Sequence, residues 1–147
     1  MNRTLRPDEL TAAGDLVRFA AILCSSGVRK IFYHAGTTRA FHESSAGNLF
    51  YEHGGVPRKQ YAAQAALSRL LVADFEFVRK WTEPDWLRAY EFRSGGRTLV
   101  ICWTRRSDGP VLKLPDGLGA LDLMGNPLRG REVTVTNVPL YLVGGSS

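Results

Sequence analysis

The residues best suited to chemistry stand at the end of a short apolar run and in the polar loop after it. Residues 30–34 form that run, and the loop at 35–56 carries aromatic, imidazole and carboxylate side chains. Ligands of α/β proteins gather at the carboxyl ends of strands, and long loops in compact domains are often functional. We therefore predict a site in this region, with Tyr33, His34, Phe41, His42, Glu43, Glu52 and His53 as its candidates.

Two helices are predicted to flank this strand and loop. Pro7 and the acidic residues after it begin a helix over residues 7–25, which Gly27 ends. The apolar run at 30–34 predicts a buried parallel strand, and a second amphipathic helix is predicted over residues 58–72. Helix, strand, loop and helix together indicate one unit of an α/β repeat.

The second half of the chain has a different pattern, in which apolar and polar residues alternate. A hairpin is predicted around the turn Ser94-Gly95-Gly96-Arg97, and residues 98–104 after it are rich in β-forming residues. Turns rich in Gly, Pro, Asp and Asn separate four more strands, at residues 111–114, 120–123, 132–135 and 140–143. This pattern predicts a small antiparallel sandwich or barrel.

Composition limits the class of protein. With 147 residues, 44% hydrophobic and 22% charged, the chain is expected to be globular. Its net charge of +5 comes from scattered Lys and Arg, so no nucleic-acid partner is predicted. No apolar run reaches membrane-span length and no signal peptide begins the chain. We therefore expect a soluble, cytoplasmic protein without a membrane partner, although a longer parent protein could carry a signal upstream.

The cysteines and large aromatic residues are assigned to packing. Cys24 and Cys102 are far apart and lack metal-type spacing, so we predict two buried free thiols, no metal and no cofactor. Phe32 is assigned to the core.

Two long runs and three short ones carry a resemblance to a known family. The run AAGDLVRFAAILCSSGVRKIFYH and the later run GNLFYEHGGVPRKQYAAQAALSRLL are similar to the last helix-strand-helix of a clan A (β/α)8-barrel glycoside hydrolase. The runs LVICWT, ALDLMGNPL and VPLYLVGG are similar to strand-turn-strand signatures of the β-domain that often follows that barrel. The order of these motifs therefore resembles the C-terminal portion of such an enzyme. The resemblance extends over nearly the whole chain from Leu10 onward.

This resemblance implies a fold and a division of the chain. The expected fold is α+β, with an incomplete TIM-barrel helix-strand-helix segment followed by a small antiparallel β-sandwich. The expected parts are a barrel segment at 1–73, a linker at 74–86 and a β-sandwich domain at 87–147.

The resemblance also implies an activity for the parent protein, the hydrolysis of O-glycosyl bonds by paired glutamates. Both glutamates would lie upstream of Met1, so this chain is expected to be inactive alone. Trp81-Thr82-Glu83 is superficially similar to the end of a nucleophile strand, but Pro84 follows it and we interpret it as an interdomain linker. The implied sugar contacts are Tyr33, His34, Phe41 and Glu43, with Tyr33 or His34 in place of the family's usual tryptophan.

Three hypotheses follow from these observations. The chain is the inactive C-terminal part of a glycoside hydrolase-like protein, a non-catalytic carbohydrate-binding or interaction module, or an independent hydrolase that uses Glu43, His42 and His53. Trp81, Trp86 and Trp103 are interpreted as packing residues, with a carbohydrate-binding strip as the alternative. A homo-oligomer is also predicted, because a lone strand at 30–34 would have two unpaired edges and the first helix has more apolar surface than one neighbour covers.

Overall fold

A computed structural model describes residues 8–33, 50 and 56–145. This part of the chain forms an α+β fold, as predicted, with two helices and two antiparallel sheets. Helix α1 spans Glu9–Ser25 and helix α2 spans Lys59–Leu70. The strands are β1 (Glu76–Lys80), β2 (Leu87–Ser94), β3 (Arg97–Thr104), β4 (Val111–Lys113), β5 (Leu118–Leu121), β6 (Pro127–Leu128), β7 (Glu132–Thr134) and β8 (Leu140–Gly144).

Local capping fixes the ends of α1. The Asp8 carboxylate accepts hydrogen bonds from the Thr11 amide at 2.8 Å and the Thr11 hydroxyl at 2.9 Å, and these bonds lower the pKa of Asp8. At the other end Gly27 has a φ of 95°, a conformation that glycine adopts without strain. The predicted first helix is therefore confirmed from Glu9 onward.

The larger sheet has six strands in the order β1-β2-β3-β8-β5-β6, and each neighbouring pair is antiparallel. Its central hairpin joins β2 to β3 through Gly95 and Gly96, whose φ angles of 55° and 73° suit a tight hairpin turn. This hairpin was predicted from the sequence and is confirmed. Strands β4 and β7 form a separate two-stranded sheet.

Strand β3 is buried on both faces and divides the core into two. Leu99, Ile101 and Trp103 point to one face, where they pack against both helices. Val100 and Cys102 point to the other, where residues on and beside β4 and β7 cover them. The side chains of β3 alternate between faces because successive residues of a strand point in opposite directions.

The helices and the sheet therefore share one hydrophobic core. Residues from both sides of the predicted 74–86 linker contribute to it, among them Val17 of α1, Leu67 of α2 and Tyr141 of β8. Strand β1 lies within the predicted linker, and Trp81-Thr82-Glu83 joins β1 to β2 in the same sheet.

The predicted strand at residues 30–34 is wrong over the part that the structure describes. Residues 28–33 have no regular secondary structure, and His34 lies outside the described residues. A strand needs a hydrogen-bonded neighbour. The outer strands of the larger sheet are β1 and β6, and residues 28–33 pair with neither of them. Phe32, which was assigned to the core, is 90% exposed. Ile31 and Tyr33, on either side of it, pack against the helix-sheet core.

Two predictions about cysteines and association have different outcomes. Cys24 and Cys102 are free and buried, as predicted. The homo-oligomer stays a prediction, and the strand at 30–34 no longer supports it. The exposed edge strand β1 contains a register shift between Phe77 and Arg79 and carries charged side chains, two features that oppose edge-to-edge pairing.

Neither described helix has the length and apolar character that crossing a bilayer requires.

Ser94 links the end of α2 to the sheet, which gives a stability test. Its buried hydroxyl donates to the Leu70 carbonyl at 2.7 Å and accepts from the Val72 amide at 2.9 Å. Ser94→Ala should lower the free energy of unfolding by about 1–3 kcal/mol, because two backbone groups lose their partner. Urea denaturation measures the change, and the exposed Ser107→Ala is the control. Equal stability of the two variants would contradict this role for Ser94.

Tyr141 gives a second stability test, in which the substitution is not expected to lower the free energy of unfolding. Its side chain is fully buried, and its hydroxyl has no hydrogen-bond partner among the described residues. Burial, followed by the nearby Asp122 carboxylate, raises the pKa of this hydroxyl. Tyr141→Phe removes an unsatisfied polar group without changing the ring, so we expect unchanged or higher stability in the same urea assay. A loss above about 1 kcal/mol would mean that the hydroxyl has a partner in solution.

Candidate functional site

The described residues include one of the four predicted sugar contacts. Tyr33 is described, whereas His34, Phe41 and Glu43 lie outside the described residues, as do His42, Glu52 and His53. Of the predicted sugar contacts, Tyr33 is therefore the residue whose surroundings the structure shows.

Tyr33 lines a groove of about 870 Å³, which we call the α1 groove. Its apolar wall contains Phe19 and Ile22 of α1, Tyr33 itself, and Trp103 near the end of β3. Phe19 is 54% exposed, so a large apolar ring faces solvent there. The rim also carries polar groups, contributed by Asp15, Arg18, Arg105 and Asn137.

The Tyr33 ring is held in place by its neighbours. Its ring packs edge-on against Phe50, with the centroids 5.6 Å apart. Burial, and to a smaller extent the Cys24 thiol, raises the pKa of the Tyr33 hydroxyl. The hydroxyl is therefore protonated at neutral pH and can both donate and accept a hydrogen bond.

Other lining residues of the α1 groove are also ordered by contacts. Arg18 donates hydrogen bonds to the Asn137 carbonyl and to the Asp15 carboxylate, so the rim is tied to the loop before β8. Trp103 stacks on Tyr90 with the centroids 5.5 Å apart, and it is 5% exposed. Phe19 and Tyr33 therefore provide most of the accessible aromatic surface.

A second groove, of about 680 Å³, lies beside the connection between β1 and β2, and we call it the Trp81 groove. The sequence interpretation assigned the three tryptophans to packing, and all three do contact the core. Trp81 in addition lines this groove together with charged and hydroxyl-bearing residues. This groove was missed because its lining residues come together only when β1 joins the sheet.

Glu91 orders one side of the Trp81 groove. One carboxylate oxygen, Oε2, accepts from the Trp81 indole N–H at 2.7 Å and from Arg79 Nε at 2.8 Å. Burial pushes the pKa of Glu91 up, but the hydrogen bonds from Arg79 and Trp81 and the charge of Arg79 outweigh it, so the pKa is lowered. Glu91 is therefore ionised at neutral pH.

The described residues contain no cluster of three or more His, Cys, Asp or Glu that could hold a metal ion. Burial raises the pKa of both cysteine thiols, which opposes a role as thiolate nucleophiles. The chemistry of the two grooves is therefore that of aromatic surfaces and hydrogen-bonding side chains. No protein family and no curated protein matches this sequence.

The lowered pKa of Glu91 predicts a pH dependence of stability. A carboxyl group whose pKa is lower in the folded state stabilises the fold above its unfolded pKa, about 4.3 for Glu, and loses that effect as the pH falls through the folded value. The stability gap between wild type and Glu91→Gln should therefore narrow as the pH falls from 7 to 3 in urea titrations. Glu132→Gln, on exposed β7, controls for the loss of one charge. A gap that stays constant over this range would contradict the assignment.

Proposed function

We propose that this chain is the non-catalytic, carbohydrate-contacting part of a glycoside hydrolase-like protein, and that its contact surface is the α1 groove. The observation that carries the proposal is the meeting of Tyr33, Phe19 and Trp103 in one groove. The sequence selected Tyr33, while the other two rings come from a helix and a strand distant in the chain. Concave sites with aromatic walls and a few polar groups are typical of small-ligand binding.

The chemistry of the α1 groove suits a sugar ring. The axial C–H groups of a pyranose pack on an aromatic face, and its hydroxyls need donors and acceptors at the edge. Phe19 and Tyr33 offer such faces, and the rim offers the Asp15 carboxylate and the Arg105 guanidinium.

The carboxyl groups of the described residues favour binding over hydrolysis. Hydrolysis by a carboxyl pair needs two acids that face the sugar, one with a raised pKa. Among the described residues, Asp15 is the one acid that lines the α1 groove, and it is paired with Arg18. This supports a binding role for the α1 groove.

The proposal includes the finer fold assignment, in which α1 and α2 are the last helices of a barrel and the strands form its C-terminal β-domain. Two observations support it. Helix α1 packs along α2, and the turn at 122–126, which lies in the motif ALDLMGNPL, is held by hydrogen bonds. In that turn the Asp122 carboxylate accepts from the amides of Met124 and Asn126, each at 2.9 Å. The irregular backbone at 28–33 adds no support.

Binding of neutral oligosaccharides to single-residue variants tests the proposal. We expect Phe19→Ala and Tyr33→Ala to weaken binding about tenfold each in calorimetry, since each removes a ring worth about 1 kcal/mol of stacking. Tyr33→Phe should retain most of the affinity because it keeps the ring. Phe77→Ala, an exposed phenylalanine on β1, is the matched control for Phe19→Ala.

Two results would overturn this proposal. One is unchanged affinity in both Phe19→Ala and Tyr33→Ala. The other is turnover of aryl glycosides by the purified chain that Asp15→Asn abolishes, because that would make Asp15 a catalytic residue.

A further inference from the structure

The Trp81 groove is independent of the α1 groove in position. Thr98, at the start of β3, lines the Trp81 groove, while Trp103, near the end of β3, lines the α1 groove. Five residues of a strand span about 17 Å. The two residues also point to opposite faces of the sheet, because their positions differ by an odd number. A ligand in one groove therefore does not contact the other.

The Trp81 indole is fixed in orientation before any ligand binds. Its backbone amide donates to the Ala89 carbonyl at 3.0 Å, and its indole N–H donates to Glu91 at 2.7 Å. Arg79 Nε donates to the same Glu91 oxygen at 2.8 Å. A ring held in this way loses little freedom on binding, and that loss is one of the main costs of association.

The charges around the Trp81 groove are largely satisfied by partners within the protein. Arg79 pairs with Glu91, and Asp116 pairs with Arg131 at 2.6 Å. The Lys80 ammonium lies 5.7 Å from the centre of the Tyr90 ring. A strongly anionic or cationic ligand would have to compete with these contacts, so the groove favours a neutral ligand.

Hydroxyl groups and one carboxylate remain around the indole. Thr82 and Thr98 line the groove with hydroxyl groups, and Glu83 adds a carboxylate. A neutral molecule with one apolar face and many hydroxyl groups matches this combination of a ring and mixed donors and acceptors. The volume is within the range of small-ligand sites.

We propose that the Trp81 groove binds a neutral saccharide, one ring of which packs on the indole of Trp81. The class of ligand rests on the proposed function, whereas the surface is a different one. The chain would then hold an oligosaccharide or polysaccharide at two separate places, one on each face of the larger sheet.

Nuclear magnetic resonance of the indole N–H groups tests the inference. The chain has three tryptophans, so a ¹⁵N-labelled sample gives three indole signals, and Trp81→Phe identifies the one that belongs to Trp81. The full chain is titrated with cellotriose, xylotriose and mannotriose, and with choline as a cationic probe. We expect at least one saccharide, and not choline, to shift the Trp81 signal in a saturable way.

Variants then separate this inference from the proposed function. Trp81→Ala should weaken saccharide binding at this groove about tenfold, and Phe19→Ala should leave the shift of the Trp81 signal unchanged. Trp86→Ala, at a tryptophan that does not line the groove, is the matched control for Trp81→Ala and should bind as wild type does. Unfolding curves for each variant show whether a loss of binding reflects a loss of fold.

The possible outcomes are distinct. If the Trp81 signal does not move while binding that depends on Phe19 persists, the inference is overturned and the proposed function stands. If the Trp81 signal moves and Phe19→Ala and Tyr33→Ala change nothing, the inference stands and the proposed function fails. A shift with choline alone overturns the inference, and the absence of any saccharide binding overturns both.

Discussion

The burial of β3 on both faces is the constraint on which the rest of the structure depends. Its backbone pairs with β2 on one side and β8 on the other, so its polar groups are satisfied without water. Its side chains then have to be covered twice, once by the two helices and once by the segment that contains β4 and β7. The two grooves lie beside the residues that cover β3, one near each end of the strand.

The two grooves differ in how they are built, although both contain an aromatic side chain beside polar groups. The α1 groove is made by a helix lying over the end of a strand, and its Tyr33 ring is held by packing against Phe50 and the core. The Trp81 groove is made within the sheet, and the partly buried Glu91 carboxylate fixes its ring by a hydrogen bond. Packing and hydrogen bonding thus give two ways of holding an aromatic surface open to solvent.

The sequence predicted those parts of the fold that depend on local signals. The β2-β3 hairpin followed from alternation and from Gly95-Gly96, and the first helix followed from its acidic start and from Gly27. The run at 30–34 was misassigned because a short apolar run is ambiguous without knowledge of its neighbours. Strand β1 was missed because all five of its residues are exposed, so they show no alternation.

The sites were harder to predict than the fold, for a physical reason. Tyr33, which the sequence selected as a candidate, lines a groove, but Phe19 and Trp103 join it only through tertiary packing. The contact of Trp81 with Glu91 depends on the register that places Arg79 opposite Glu91, with an irregularity one step before it. Register between strands is set by the whole sheet and leaves no mark on the few residues involved.

The core shared by helices and sheet has a consequence for how this chain can be divided in evolution or in the laboratory. A gene split or a protease cut between α2 and β1 would leave a β fragment with Phe92, Ile101 and Tyr141 uncovered, and a helical fragment with Val17 and Leu67 uncovered. Each half would tend to aggregate unless it met the other again. The helices therefore cover apolar surface that the sheet would otherwise expose, and recombination that exchanges the sheet between proteins would have to carry both helices along.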